Sequence, residues 1–381
     1  MKLLERTGVR MAVIGVVGLG VMGLGIAQVY AAHGHRVIAT DGHAPARETA
    51  KDRMAQSLQK RVAAGRLAAA DMAATLALFD VVEGLGGLAP CDLVIEAIAE
   101  KLEAKQALFT ALEAVLAVDA VLATNTSALS VTDMAKGLAR PDRLLGLHFF
   151  NPAPAMKLVE LVVRKENAPD ALDLARSLTT AAGKTVIQCA DRPGFIVNRC
   201  ARPYYGEALA MLEEGQSALA IDGAMLAAGY RLGPFGLIDL IGADINLAAT
   251  KGLRDAMGGH PRYYLFQSLV DQVANGRLGI KTGQGFLTGV KVEPRADDAI
   301  VRRIEATLAN EAASLFDEGG VRADAIDQAM GLALNFPRGP FTSARRWGLD
   351  VIRAELEELA QNAPAHLQGR YSISQALQAM A

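Results

Sequence analysis

The stretch Gly18-Leu19-Gly20-Val21-Met22-Gly23 follows an apolar run, Met11–Val17, and precedes an apolar helical stretch, Leu24–Ala32. In a strand–turn–helix unit the first glycine allows a tight turn and the second lets the backbone approach a pyrophosphate. The third lets helix and strand pack closely, and the helix N-terminus faces the anion. We therefore predict that a dinucleotide is bound by Gly18, Gly20, Val21, Met22 and Gly23.

An acidic residue lies where a ribose diol would be held. Asp41 ends the next apolar run, Arg36–Thr40, and comes 18 residues after Gly23. Its carboxylate would accept both ribose hydroxyls and repel a 2′-phosphate, which favours NAD over NADP as the cofactor. The alternative is a glycine turn that binds nothing.

Composition narrows the class of protein. The chain has 381 residues, 51% of them hydrophobic, and a formal net charge of −2, which excludes intrinsic disorder and disfavours nucleic acid as a partner. Three cysteines without a CxxC pair indicate a reducing compartment, so we predict a cytoplasmic protein.

Met11–Ala32 carries no charge and is long enough to span a bilayer, but its five glycines favour strand, turn and helix, so no membrane partner is expected. His33, His35 and His43 bracket a turn and a strand, and we predict no metal site there.

Residues 1–188 alternate short apolar runs with helical stretches, which predicts a doubly wound, Rossmann-type α/β domain. The strands are expected at Met11–Val17, Arg36–Thr40, Asp92–Ile98, Ala120–Thr124, Leu144–Phe149, Leu158–Val163 and Thr185–Gln188, and helices at Arg47–Ala64 and Leu102–Leu116. Pro193 and Gly194 mark the break to the next domain.

The rest of the chain is helical in pattern and repeats itself. The series Glu207-Ala208, Ala220-Ile221-Asp222, Gly233-Pro234-Phe235 recurs as Glu311-Ala312, Ala325-Ile326-Asp327, Gly339-Pro340-Phe341, at an offset of 104 to 106 residues. We therefore predict two copies of one all-α unit, residues 189–290 and 297–381.

A histidine and a glutamate are the candidate catalytic pair. His148 ends the apolar run Leu144–Phe149, and Glu160 lies inside the run Leu158–Val163. A lone histidine in such a run is often structural, but a buried carboxylate needs a partner, and the imidazole is a plausible one. Beside a nicotinamide, the pair would be a general base with its orienting carboxylate.

Other polar residues lie at strand ends or at the domain break. Ser127 and Glu100 follow predicted strands, Lys105 follows Glu100, and Asn198 opens the second domain. Ligands of doubly wound sheets bind at the carboxyl ends of the strands. Each of these residues could equally cap a helix or form a turn.

The chain resembles the L-3-hydroxyacyl-CoA dehydrogenase family over roughly residues 10–288. The motifs that carry the resemblance are GLGVMGLGIA at 18–27, DLVIEAIAEKLEAK at 92–105, TNTSAL at 124–129, LHFFNPAPAMKLVE at 147–160, PGFIVNR at 193–199, GPFGLID at 233–239 and KTGQGF at 281–286. This implies a Rossmann-type domain followed by all-α domains like the C-terminal domain of 6-phosphogluconate dehydrogenase. It also implies NAD-dependent oxidation of (3S)-3-hydroxyacyl-CoA to 3-oxoacyl-CoA, in β-oxidation or phenylacetate-type catabolism.

The resemblance also implies roles for single residues. It makes His148 the general base, oriented by Glu160, with Ser127 and Asn198 as substrate hydrogen-bond partners. The residues that match positions near the nicotinamide are Glu100, Lys105 and Asn151. Ser57 matches a position contacting CoA, and Arg66 is the candidate substitute for a lysine that the family often has nearby.

Alternatives remain at this point. Relatives on the same framework oxidise free hydroxy acids such as gulonate or carnitine, and others bind NAD without catalysis. The second helical copy has Arg302 where Asn198 aligns and lacks the KTGQGF ending, so we expect no catalytic part for it. Single-unit relatives form homodimers through this domain. The two-copy chain is therefore expected to be a monomer with an internal pseudo-dimer, covered through Phe341 and Trp347, or a homodimer.

Overall fold

The computed structural model describes residues 11–380 and has two compact units, the first ending at Arg192 and the second beginning at Pro193. The first unit contains one eight-stranded sheet in the order β3-β2-β1-β4-β5-β6-β7-β8. All neighbouring strands are parallel except β6 and β7, which are antiparallel. The strands are β1 Val13–Val17, β2 Arg36–Thr40, β3 Phe79–Val81, β4 Leu93–Glu96, β5 Val121–Thr124, β6 Leu144–Phe149, β7 Leu158–Val163 and β8 Thr185–Ala190.

Helices connect the strands of this unit. They are α1 Val21–Ala32, α2 Ala44–Glu48, α3 Ala50–Ala63, α4 Ala69–Ala77, α5 Leu102–Glu113, α6 Val131–Met134 and α7 Pro169–Ala181. The central strands β4, β5 and β6 are buried along their whole length, as expected for a sheet covered on both faces.

Two predictions of local structure are corrected. The edge strand β3 was missed because it is only three residues long and has a charged centre, Asp80, so it shows no apolar run. The single helix predicted at Arg47–Ala64 is instead two helices that meet at Thr49. The Thr49 hydroxyl donates to the Pro45 carbonyl at 2.7 Å, a local side-chain bond that competes with regular helix.

The second unit is helical. Its helices are α8 Val197–Cys200, α9 Arg202–Glu213, α10 Ala218–Ala227, α11 Pro234–Ile241, α12 Ala243–Ala256, α13 Gln267–Ala274, α14 Asp298–Asp317, α15 Ala323–Leu334, α16 Pro340–Trp347, α17 Leu349–Asn362 and α18 Gln375–Ala379. The series α9 to α12 recurs as α14 to α17, at the spacing of the sequence repeat. Within residues 11–380 no helix has the length and hydropathy that a membrane span needs.

The repeated aspartate and Gly-Pro-Phe motifs form one structural device. Asp222 of α10 accepts hydrogen bonds from the amides of Phe235 and Gly236, at 3.0 and 2.7 Å, and so caps α11. Asp327 of α15 does the same for the amides of Phe341 and Thr342 at the start of α16. Each acid satisfies helix-terminal amides that would otherwise lack partners.

The two copies pack on each other within this unit. Arg199 of the first copy donates to Glu311 of the second at 2.6 Å, and Arg303 of the second donates to Glu207 of the first at 2.7 Å. The ring of Phe336 packs on Tyr204, at 4.9 Å between centroids.

Phe341 and Trp347, the aromatic residues expected at this junction, have the following ring and hydrogen-bond contacts. The Phe341 ring packs on Phe316, and the Trp347 indole donates to Glu305 at 2.6 Å, both within the second copy. Glu305 also accepts from the Tyr230 hydroxyl of the first copy at 2.8 Å, and the ring of Phe336, which follows α15, packs on Tyr204 of α9.

Candidate active site

The glycine turn has the backbone geometry that a dinucleotide site requires. Gly18 has φ +98°, and a Cβ there would lie 2.5 Å from the carbonyl oxygen of Ala97. A Cβ on Gly23 would lie 1.7 Å from the carbonyl oxygen of Gly18, so strand and helix approach too closely for any side chain.

The start of α1 can receive an anion. Gly20 is its N-cap without a side-chain cap, the first turn holds no acidic residue, and a Cβ on Gly20 would meet nothing within 4 Å. The space beside Gly20 is therefore open, and the unpaired amides of a helix N-terminus are the groups that bind a pyrophosphate. These residues fit the phosphates of a dinucleotide.

Asp41 is held against this turn. One carboxylate oxygen accepts from the Leu19 amide at 2.7 Å, and the other accepts from the His43 amide at 2.8 Å. Each oxygen keeps a second lone pair for a ligand hydroxyl. The carboxylate is thus fixed at the end of β2, beside the glycine turn, where a ribose would lie.

The structure pairs His148 with Glu160. The antiparallel register of β6 and β7 places the two residues directly opposite each other, and Nδ1 of His148 lies 2.5 Å from Oε2 of Glu160. His148 is 6% exposed and Glu160 is fully buried. A carboxylate on Nδ1 favours the tautomer with a proton on that nitrogen, which leaves Nε2 as the basic atom. A hydrogen bond joins the end of β5 to β6 beside this pair: the Asn125 side chain accepts from the Phe149 amide at 2.8 Å.

A second group of polar residues lies at the ends of β4 and β5. Glu96 is buried and accepts from Lys105 Nζ and from the Thr124 hydroxyl, both at 2.6 Å. Lys105 is 1% exposed and also lies 3.0 Å from Glu100. Lys105 therefore links a buried carboxylate to one near the surface.

Glu100 is held in its ionised form. Burial opposes ionisation of this carboxyl, but the Lys105 charge and hydrogen bonds from Thr126, Lys105 and the Ser127 amide outweigh it, so the pKa of Glu100 lies below its usual value. A fixed negative charge thus stands at the carboxyl edge of the sheet.

Sequence reasoning missed Glu96, Thr124 and Thr126. The signal for Glu96 was the same as for Glu160, a carboxylate inside an apolar strand. The two threonines carried no signal of their own, because a hydroxyl at a strand end is common in turns.

The remaining predicted residues lie in loops and on helices. Ser127 is exposed in the loop after β5, and Asn151 is exposed in the loop after β6. Ser57 is exposed on α3, with its hydroxyl 3.4 Å from Gln28 Oε1, and Arg66 is exposed in the loop that follows α3. Asn198 belongs to the second unit, where it is half-buried in α8 and its carbonyl accepts from Arg202 Nε at 3.0 Å.

Two of the three histidines near the glycine turn have structural contacts, and the third, His43, is exposed. Nδ1 of His33 lies 2.8 Å from the Val29 carbonyl, and Nδ1 of buried His35 accepts from the Ala12 amide at 3.3 Å. Among residues 11–380, no three His, Cys, Asp or Glu side chains gather as a metal site would require.

A glycine turn with a fixed acid at the next strand end and an imidazole–carboxylate pair in the same sheet define an NAD-linked dehydrogenase of the Rossmann type. Comparison with known families agrees. Residues 13–192 match the NAD binding domain of 3-hydroxyacyl-CoA dehydrogenase. Residues 194–289 and 300–381 each match the C-terminal domain of the same enzyme. The chain belongs to the 3-hydroxyacyl-CoA dehydrogenase family and is an NAD-dependent oxidoreductase.

Individual relatives support the same family. The 3-hydroxyadipyl-CoA dehydrogenase of Escherichia coli is 45% identical over 276 residues, which cover 71% of this chain and 58% of that protein. Human mitochondrial hydroxyacyl-coenzyme A dehydrogenase is 38% identical over 279 residues, covering 71% of this chain and 89% of the human protein. The crystal structure of 3-hydroxybutyryl-CoA dehydrogenase from Escherichia coli superimposes with a TM-score of 0.90 at 31% identity, over 97% of this chain and 98% of that one.

Proposed function

We propose that the chain oxidises (3S)-3-hydroxyacyl-CoA to 3-oxoacyl-CoA with NAD, using His148 and Glu160 as an oriented general base. The observation that carries the proposal is the 2.5 Å contact between His148 Nδ1 and Glu160 Oε2, in the same sheet as the glycine turn. A buried imidazole with a carboxylate on one nitrogen has its other nitrogen poised to accept a proton.

The chemistry follows from that geometry. Bound NAD supplies the hydride acceptor for C3 of the substrate. His148 Nε2 takes the hydroxyl proton as the C–H bond breaks and the C3 carbonyl forms. Glu160 stabilises the imidazolium that results, since its negative charge lies against the newly charged ring. Such a positioned base is typically worth about 10²–10⁴ in rate.

The other assignments rest on the family resemblance. Ser127 and Asn198 hydrogen-bond the reacting oxygen of the substrate. Glu100 lies near the positively charged nicotinamide, where an ionised carboxylate is favourable, and Asn151 lies near the same ring. Buried Lys105 acts on the cofactor through Glu100 rather than by contact.

Recognition of CoA is assigned to two exposed residues. Ser57 and Arg66 lie on α3 and in the loop after it, where a hydroxyl and a cation can reach a large polar ligand. The acyl-CoA thioester is the small-molecule partner.

Turnover by the purified full chain tests the proposal. NADH oxidation is measured with acetoacetyl-CoA and longer 3-oxoacyl-CoAs, and NAD reduction is measured with free hydroxy acids of the gulonate and carnitine type. We expect turnover of the thioesters and at most weak turnover of the free acids. Absence of NADH oxidation with every thioester, or a preference for a free acid, would overturn the proposal.

A further inference from the structure

The second unit contains a buried cation that lacks a carboxylate partner. Arg202, at the start of α9, is 7% exposed. Its guanidinium donates only to neutral oxygens: to the Asn198 carbonyl at 3.0 Å, the Asn246 carbonyl at 3.4 Å and the Thr250 hydroxyl at 3.2 Å. The ring of Tyr205 lies 4.8 Å from the guanidinium carbon. Nη2 of Arg202 has no hydrogen-bond acceptor among residues 11–380.

Other arginines in the interior of this unit are paired with acids. Arg199 contacts Glu311 and Glu318, and Arg370 contacts Glu207. A buried charge without a counter-charge is costly, and burial lowers the pKa of Arg202 accordingly. Arg202 differs from these arginines, because the anion that would balance its charge must come from outside the chain.

A buried amide beside this arginine also lacks partners. Asn246 of α12 is 2% exposed, and neither its side-chain oxygen nor its side-chain nitrogen has a hydrogen-bond partner in the described part of the chain. Orphaned buried amides are rare in folded proteins. Arg202 and Asn246 together offer unsatisfied donors of the kind that a carboxylate accepts.

The repeat provides an internal control for this cluster. At the repeat offsets, Arg202, Asn246 and Thr250 correspond to Ala306, Ile352 and Leu356 of the second copy. All three counterparts are buried and apolar. The helical fold is therefore completed by apolar packing at these positions, and the polar cluster of the first copy is not required by the fold.

We propose that Arg202, with Asn246 and Thr250, binds a carboxylate at the far end of the acyl chain, which makes the substrate a 3-hydroxyacyl-CoA of a dicarboxylic acid. The assignment rests on the proposed function, which puts Asn198 at the reacting oxygen. Arg202 follows Asn198 by four residues, a helical rise of about 6 Å. In a six-carbon diacid the terminal carboxylate carbon is three C–C bonds, each about 1.5 Å, from C3. The phosphates of CoA are separated from C3 by the whole pantetheine arm, so they are not the anion at this distance.

Two pairs of thioesters of equal chain length test the assignment. Binding to the full chain is measured by calorimetry with adipyl-CoA and hexanoyl-CoA, and kcat/KM is measured with 3-oxoadipyl-CoA and 3-oxohexanoyl-CoA. A charge-assisted hydrogen bond predicts a preference of about 10- to 100-fold for the carboxylated member of each pair. Arg202→Met should abolish that preference, so that the carboxylated and hexanoyl members of each pair give equal values.

Two further variants separate recognition from structure. Arg202→Lys keeps the charge without the planar fork and should retain part of the preference. Arg254→Met, which removes a partly exposed arginine from α12, should leave both substrates unaffected. Asn246→Leu, which copies the apolar packing of Ile352, provides a second test of the cluster should Arg202→Met not fold.

The outcomes distinguish the two proposals. Equal affinity of the wild type for adipyl-CoA and hexanoyl-CoA, or an equal loss for both in Arg202→Met, would overturn the carboxylate assignment. A preference in binding without turnover of either 3-oxo substrate would instead overturn the proposed function and leave the binding assignment standing.

Discussion

Arg199 of the first helical copy lies 2.6 Å from Glu311 of the second, and the pair is repeated in the opposite sense by Arg303 and Glu207, at 2.7 Å. Arg303 follows Arg199 by 104 residues, and Glu311 follows Glu207 by the same number. The two copies therefore meet as the halves of an isologous dimer do, where the same patch is used on both sides. Tyr263 and Tyr371 add matching hydrogen bonds to Glu311 and Glu207, at 2.6 and 3.0 Å.

Breaking one of these ion pairs should destabilise the second unit strongly. Arg199→Met leaves buried Glu311 without its closest cation, and removal of one partner of a buried pair costs about 3–5 kcal/mol. Urea unfolding of the full chain measures the change in the free energy of unfolding. Arg322→Met, which removes an exposed pair with Asp324, is the control and should change the free energy of unfolding far less, because solvent screens an exposed ion pair. Equal effects of the two variants would contradict this account.

Removal of the second copy should create an intermolecular dimer. A chain ending at Gly289 lacks Glu311 and Arg303, but a second molecule of it offers Glu207 and Arg199 in their place. The face of α9 that packs on α14 would also be exposed, and soluble monomers rarely tolerate large exposed apolar patches. Light scattering should therefore show a dimer or aggregate for the shortened chain.

Two measurements test whether the chain ending at Gly289 dimerises through this surface. Arg199→Glu in the shortened chain should prevent the dimer, since like charges then face each other. A shortened chain that stays a soluble monomer would show that the second copy does not cover a dimer surface.

Replacement of His148 should remove catalysis and spare cofactor binding. His148→Gln keeps a polar side chain but no base, so kcat should fall by about 10²–10⁴, the range of general-base catalysis. NADH affinity, measured by fluorescence titration, should barely change. A variant with more than about a tenth of the wild-type kcat would rule out His148 as the base.

Replacement of Asp41 should alter cofactor choice. Asp41→Ala removes the ribose acceptor and the charge that repels a 2′-phosphate, so NADH should bind more weakly and the preference over NADPH should narrow. Dissociation constants for both cofactors measure the change. Asp71→Ala, on the exposed part of α4, is a control for loss of one negative charge. A wild type that already prefers NADPH would refute the assignment.

Lys184 should give the stability of the first unit a pH dependence. Its ammonium donates to the Ala153 and Met156 carbonyls, and burial lowers its pKa from 10.5 to about 8. Between about pH 8 and 10.5 the unfolded chain binds a proton that the folded chain does not, so the free energy of unfolding rises with pH in this window.

A comparison of two lysine variants isolates this effect. Lys184→Met should lack the rise, whereas Lys136→Met, which removes an exposed lysine, should keep it. Parallel profiles for wild type and Lys184→Met in that window would contradict the assignment.

The sequence by itself determined the class of fold and the residues of the candidate base. The glycine turn, the buried runs of the sheet and the repeat are local patterns, because they record which backbone conformations and which faces each segment can adopt. His148 and Glu160 could be paired from sequence because a carboxylate inside an apolar strand demands a partner from an adjacent strand. Two features could not be predicted from the sequence. The division of Arg47–Ala64 at Thr49 depends on a single local hydrogen bond, and the short strand β3 depends on its place at the edge of the sheet.

Only the tertiary structure decided which charges are satisfied. The sequence predicted Lys105 only as a residue near the nicotinamide, whereas the structure buries it between Glu96 and Glu100. Arg199 and Arg202 are three residues apart and look alike in sequence, yet one meets carboxylates 112 and 119 residues away and the other meets only neutral oxygens. Pairing of charges at such separations is set by how helices pack, because the cost of a buried charge depends on what surrounds it in space and not on its neighbours along the chain.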